Sequence, residues 1–198
     1  MKLLLHTCCA PCMIHPVEKL RQEGFEVKGL FYNPNVHPLT EYNNRKHSVE
    51  HYSQKIGLEV IYPDYEPTEY FRAVHMMEER LQRCPICWYQ RLKVTAQLAK
   101  EKGFTHFSST LMVSPYQDIE LIHKIGNDLA KIEVVEFYFE DFRPGFRKAH
   151  DEAKAQGLYC QKYCGCIYSE LERYKKSQGQ SPLGIVPSEK LCRKSEKH

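Results

Sequence analysis

The sequence predicts an α/β fold: a three-layer parallel sheet flanked by helices, with C-terminal helices carrying a Cys-Gly-Cys segment. Three observations predict it. Short apolar or β-branched runs alternate with helix-like stretches of ten or more residues, the pattern of βαβ units. Gly, Pro and Asn fall between these runs, where the chain must turn. The chain has 198 residues, 42% hydrophobic and 27% charged, enough for one domain with a real core.

Lys2–His6 is a short apolar run that ends in a cysteine loop. Met13–Glu23 reads as a helix, with Pro16 tolerated in its first turn and Gly24 closing it. Glu26–Tyr32 reads as a second strand, broken by Asn33-Pro34-Asn35. Leu39–Ile56 is a polar, amphipathic helix ending at Gly57, and Leu58–Tyr62 is a third strand. Pro67–Gln82 and Ile86–Glu101 read as helices, the second capped by Gly103. Thr105–Ser109 is a fourth strand, Gln117–Lys131 a helix and Glu133–Phe139 a fifth strand. Phe146–Gln156 and Ile167–Lys176 are the last helices. Residues 1–176 therefore read as a single Rossmann-like or HUP-like catalytic domain. From Ser177 the chain is polar, carries two prolines and loses periodicity, so residues 177–198 read as a flexible tail.

The net charge of +3 permits contact with RNA without requiring it. The apolar run of MKLLLHTCC is too short for an export signal, and no stretch approaches the ~20 apolar residues of a membrane helix. The expected location is cytoplasmic, with no membrane partner. In that reducing compartment, nine cysteines point to metal binding or redox chemistry rather than to a disulfide framework. TCCAPC stands where a nucleotide-activating enzyme on this kind of sheet needs a Gly-rich phosphate loop, which argues against that activity.

The cysteines fall into three groups. Cys8, Cys9 and Cys12 form C-C-A-P-C after the first strand. In a loop, adjacent cysteines can turn toward one metal centre, and the Cys9/Cys12 CxxC suits one metal or a redox dithiol. Buried apolar thiols are the competing reading, but three cysteines in five residues are too dense for packing alone. Cys84 and Cys87 form C-P-I-C at an expected helix start, where two sulfurs at i and i+3 share a face. A helix N-terminus also favours the thiolate that ligation needs. Two plus two sulfurs from distant segments complete a tetrahedral site, and both zinc and iron accept four thiolates.

Cys164 and Cys166 form C-G-C, with Cys160 four residues before Cys164. Gly permits the unusual backbone of a strained, redox-active disulfide. Further metal ligands or inert thiols are the alternatives. Cys192 lies in the tail as a bystander. In a parallel sheet, ligands bind beyond the carboxyl ends of the strands. The first cysteines, Asn33, Asn35, Ser109 and Thr110 are all expected there.

In order, LLHTCCAPC, FYNPN, CPICWYQRL, FSSTLMVSP, DFRPGF and YCQKYCGCIYSELER resemble the cobalamin-independent epoxyqueuosine reductases of the QueH type. The resemblance runs from about Lys2 to Arg173. It implies reduction of epoxyqueuosine to queuosine at the wobble position of tRNA. It implies a [4Fe-4S] cluster held by Cys8, Cys9, Cys84 and Cys87, with Cys164 and Cys166 as redox-active pair. It further implies a second, mononuclear iron. Some members carry Asp where this chain has Cys12, so the resemblance does not fix that iron's ligands, Cys12 among them. An electron donor is implied but not identified.

Arg143 and Arg147 are candidate tRNA-phosphate contacts, followed by further lysines; a solvated helix face is the alternative. Asn33, Ser109 and Thr110 are candidate substrate contacts, with turn-forming and strand-end roles as the alternative. Tyr163, Tyr168, His6 and Asp118 are candidate proton donors, each weighed against simple packing. A zinc-stabilised, non-catalytic RNA-binding module is the rival to the enzyme as a whole.

Overall fold

The computed structural model describes residues 1–175. Strands β1 (Lys2–His6), β2 (Glu26–Leu30), β3 (Val60–Ile61), β4 (His106–Ser109) and β5 (Glu136–Phe137) form one sheet in the order β3-β2-β1-β4-β5. Every pairing is parallel. The helices are α1 (Ala10–Gln22), α2 (Leu39–Lys55), α3 (Pro67–Val74), α4 (Arg80–Glu101), α5 (Ile119–Glu133), α6 (Phe146–Ala155) and α7 (Ile167–Lys175). Single 3-10 turns occupy Thr110–Val113 and Arg143–Gly145.

The chain starts at the sheet centre, winds outward through β2 and β3, then returns along α4 to the other side of β1. Right-handed crossovers place α1 and α2 on one face and α4 and α5 on the other. α1 packs on α2 and α6, and α4 packs on α3 and α5. Helices cover both faces, so the central strand is apolar throughout: Leu3, Leu4 and Leu5 are fully buried. The winding direction reverses between β1 and β4, and the crevice beyond their carboxyl ends is the expected ligand site.

The expected α/β architecture is observed, with local differences in element bounds. Helix α1 starts at Ala10 rather than Met13, because Pro11 is preset for a first turn. This puts Cys9 at the N-cap and Cys12 on the helix. The stretch Pro67–Gln82 is not one helix: α3 stops at Val74, and Met76 takes a left-handed φ of 62°. Its last residues instead begin α4, which runs on through Pro85. Pro85 frees the Leu81 carbonyl, and Leu81 is 90% exposed, so water can satisfy it. The edge strands β3 and β5 are shorter than expected because each pairs on one side only. The tail reading, with Cys192 in it, lies outside the described residues.

Candidate metal and redox site

Cys8 leaves β1 at the switch point and is tied across it to Thr110, which follows β4. The Cys8 amide donates to the Thr110 hydroxyl oxygen at 3.2 Å, and that hydroxyl donates to Cys8 Sγ at 3.4 Å. Cys9 caps α1 from an extended conformation, and Cys12 lies in the first turn. The three sulfurs lie within 4.8 Å of one another, with Cys8 and Cys9 3.7 Å apart. Cys9 and Cys12 stand at disulfide bonding distance. The same three sulfurs form a group close enough to hold one metal ion. Gln161, in the loop after α6, donates from Nε2 to Cys9 at 3.0 Å and to Cys12 at 3.4 Å.

Cys84 and Cys87 come from α4 on the opposite face. They stand outside the close-set group of three sulfurs. C-P-I-C does not open its helix as expected; Arg80–Arg83 precede it. The N-terminal field is therefore weaker there, and burial dominates. Burial pushes the Cys87 thiol up to about 12 and raises Cys84, on which Cys164 also acts. Burial raises Cys8 too, against the Thr110 hydroxyl and the charges of Arg45 and Arg91. To ligate a metal ion a thiol must release its proton to solvent, and soft thiolate sets select zinc, copper(I) or iron–sulfur centres.

The helix-terminus effect belongs instead to the Cys-Gly-Cys segment. Cys166 immediately precedes α7, and its sulfur accepts the Ser169 amide at 3.4 Å. Burial opposes its ionisation. Hydrogen bonds from Ser169 and Tyr70 and the charge of Arg83 outweigh that and lower its pKa. Cys164 is exposed, and both thiols are free. Gly165 has a φ of 138°. A side chain there would be strained and would crowd Val36, Arg45 and Asn35.

Buried Arg45 of α2 fixes this loop. Its Nη1 and Nη2 donate to the carbonyls of Cys164 and Tyr163, each at 2.9 Å, and its Nε to Glu41 at 2.8 Å. Tyr159 donates to the same Glu41 carboxylate. The His37 amide donates to the Gly165 carbonyl at 2.8 Å, and the Tyr163 hydroxyl donates to the His37 carbonyl at 2.6 Å. The loop is thereby locked against the segment after β2. Cys164 then lies within electrostatic reach of Cys8 on one side and of Cys84 and Cys87 on the other. Cys164 thus stands between the other two cysteine groups, with Gln117 of the loop after β4 donating to its sulfur.

The other sequence candidates divide. Asn33 is buried and donates to the Thr7 carbonyl at 2.9 Å, while its Oδ1 has no partner among the described residues. Ser109 is committed: it bonds His6 Nδ1 at 2.9 Å and accepts the Leu111 amide at 3.1 Å. His6 is fully buried and neutral, with burial the main cause of a pKa lowered to about 3. Asp118 caps α5 by accepting the Leu121 amide. The Tyr163 hydroxyl is held by His37, and the Tyr168 ring lies under the Arg83 guanidinium. Arg143 is exposed and bonded in bidentate fashion to Asp141, while Arg147 is exposed on α6. The roles of Gln161, Gln117, Arg45 and Arg91 were not predicted. Gln117 accepts the Trp88 indole N–H at 2.8 Å and donates to Cys164 Sγ at 3.7 Å. Arg91 alone had a sequence signal: it lies four residues after Cys87 on the same helix.

A doubly wound parallel sheet with three close-set cysteines at its switch point defines an α/β protein with a candidate metal site. The family model for the epoxyqueuosine reductase QueH matches residues 3–172, and the chain belongs to that family. A QueH epoxyqueuosine reductase from Dehalococcoides mccartyi is 39% identical over 176 residues, 88% of this chain and 96% of that protein. The one from Thermotoga maritima is 35% identical over 182 residues, 88% and 93% of the two chains. The sheet is also similar to the crystal structure of a "predicted subunit of tRNA methyltransferase" from Methanocaldococcus jannaschii. The TM-score is 0.54 at 12% identity over 92% of this chain and 90% of that one, a likeness of fold alone. No helix among the described residues is long and apolar enough to cross a membrane.

Proposed function

We propose that the protein reduces epoxyqueuosine to queuosine in tRNA in the cytoplasm, using an iron–sulfur centre and the Cys164/Cys166 dithiol. The observation that supports this most is the close-set group of Cys8, Cys9 and Cys12, with Cys164 within electrostatic reach of Cys8, Cys84 and Cys87. The donor set fits a thiolate-held cluster. Cys8, Cys84 and Cys87 are free thiols, and Cys9 joins them once an external reductant has given the Cys9–Cys12 pair two electrons and two protons. Hydroxyl and amide donors already address the sulfurs of Cys8 and Cys9, as outer partners do at metal sites. In this reading Cys12 is left for the second iron. When bound, such a centre supplies single electrons and a Lewis-acidic iron.

The chain's own part is the dithiol, the pocket and the tRNA grip. Removing the epoxide oxygen as water takes two electrons and two protons and leaves a carbon–carbon double bond. Closing the Cys164–Cys166 disulfide releases two electrons and two protons, so the balance closes within the protein. Ser169, Tyr70 and Arg83 favour the Cys166 thiolate against burial. An external donor must then reopen the disulfide. In this reading Asn33, whose Oδ1 is buried without a hydrogen-bond partner among the described residues, is a substrate contact. Arg147 and neighbouring lysines supply phosphate contacts.

The test is anaerobic purification followed by incubation with tRNA carrying epoxyqueuosine and a chemical reductant. Brown protein with bound iron and sulfide, and queuosine in the digested tRNA by mass spectrometry, are expected. A colourless protein with one zinc per chain and no turnover favours the RNA-binding module instead.

A further inference from the structure

Arg91 is 2% exposed at the centre of α4. Its Nε donates to the Cys87 carbonyl at 3.1 Å, and its Nη2 has no hydrogen-bond partner among the described residues. The other buried arginines are matched to carboxylates, Arg45 to Glu41 and Arg83 to Glu172. No such ion pair involves Arg91 among the described residues. The groups that favour its charge are the thiols Cys87, Cys164 and Cys8, one from each cysteine segment. A buried, uncompensated guanidinium is costly. It becomes compensated when Cys87 and Cys8 are thiolates, as they are in the proposed metal centre.

We infer that Arg91 is the built-in counter-cation of the cysteine centre, donating its free N–H into the thiolate set and raising the centre's reduction potential. This rests on the reading of that centre as an iron–sulfur cluster. Adding one electron to such a cluster adds one negative charge, which a fixed neighbouring cation stabilises. Net charge and hydrogen bonds to sulfur are the levers by which proteins set cluster potentials. Arg91 is thus a positioning and tuning residue, not a group that touches substrate.

The experiment compares wild type, Arg91→Lys, Arg91→Gln and Arg91→Met as anaerobically loaded proteins. Iron and sulfide are counted, and the midpoint potential is read by a spectroscopic redox titration. Arg91→Met and Arg91→Gln should titrate at lower potential than wild type, with Arg91→Lys shifted less. Loss of iron from Arg91→Met but not from Arg91→Lys supports the same assignment. If Arg91→Met does not fold, Arg91→Gln against Arg91→Lys carries the comparison. Fully loaded neutral variants at the wild-type potential overturn the inference, as does Arg91→Lys shifted as far as the neutral variants. A wild type that binds no iron overturns the cluster reading and this inference with it, whereas the previous result overturns this inference alone.

Discussion

Arg45 and Cys164 are joined by a hydrogen bond of 2.9 Å from guanidinium Nη1 to carbonyl oxygen, across 119 positions of sequence. It fastens the loop bearing the proposed dithiol to α2, and the same guanidinium reaches Tyr163 and Glu41. Arg45→Met would leave Glu41 buried without its cation, at a cost of about 3–5 kcal/mol. Arg45→Lys keeps the charge but loses the planar fork, so it should recover part of the stability. Both should speed alkylation of Cys166 in native protein. Urea unfolding and timed alkylation measure the two effects. Unchanged alkylation in both variants would show that the loop is held without Arg45.

Cys166 differs from Cys87 in its acid–base setting. Ser169, Tyr70 and Arg83 lower the Cys166 pKa in spite of burial, whereas burial pushes Cys87 up to about 12. In metal-free Cys164→Ser protein, Cys166 should reach its full alkylation rate at lower pH than Cys87. Ser169→Ala removes the hydroxyl donor and should move the Cys166 profile to higher pH. Peptide-resolved mass spectrometry separates the two sites. Coincident profiles would contradict the assignment.

Substitution of Cys164 or Cys166 by Ser should abolish multiple turnover while leaving cluster absorbance in place. Neither residue is one of the four proposed ligands, so iron content is the control. Undiminished multiple turnover in either variant would remove the dithiol from the mechanism.

Much of this site was legible in sequence because its parts are local. The first strand was read with its observed bounds, Lys2–His6, since an apolar run ending in Thr-Cys-Cys leaves little choice. The alternation of strands and helices put Cys8 and Thr110 beyond strand ends, where they meet. The helix bearing C-P-I-C was read as starting at Ile86 rather than Arg80, because a proline inside a helical pattern reads as a boundary. Only the exposure of Leu81 makes an interior proline tolerable there. Gln161 reaches Cys9 across 152 positions, and no local pattern records such a contact. Nor could spacing foretell that Cys9 and Cys12 stand together while Cys164 and Cys166 remain free.

Phosphate contacts with tRNA should make binding fall steeply with salt, because each neutralised phosphate releases counterion. Arg147 is exposed on α6, whereas the Arg143 guanidinium is engaged by Asp141 at 2.8 and 2.6 Å. Arg147→Ala should therefore lower the slope of log affinity against log salt by about 1. Arg143→Ala should change it less. Filter binding across a salt series gives both slopes, and a flat dependence in wild type would reject phosphate-based binding.

His6 supplies a pH dependence of folding that owes nothing to substrate. Burial first, and then the charge of Arg91, lower its pKa from 6.5 to about 3. The unfolded chain takes up a proton below about pH 6.5 that the folded chain refuses until about pH 3. Stability contributed by neutral His6 is thus complete above the higher value and lost as pH falls between the two. Between pH 7 and pH 4 the loss from this group should be about 3 kcal/mol. His37, also lowered by burial, to about 4, adds a loss of the same sign. His6→Asn keeps a donor and an acceptor near Ser109 and the Tyr32 carbonyl but cannot titrate. It should be less stable than wild type at pH 7 by about 1–2 kcal/mol, since its shorter amide cannot reproduce both hydrogen bonds. It should also lose less stability on acidification. Urea unfolding of metal-free protein at the two pH values tests this. Equal losses in wild type and His6→Asn would mean that the imidazole is protonated in the fold, and that the charge of Arg91 does not reach it.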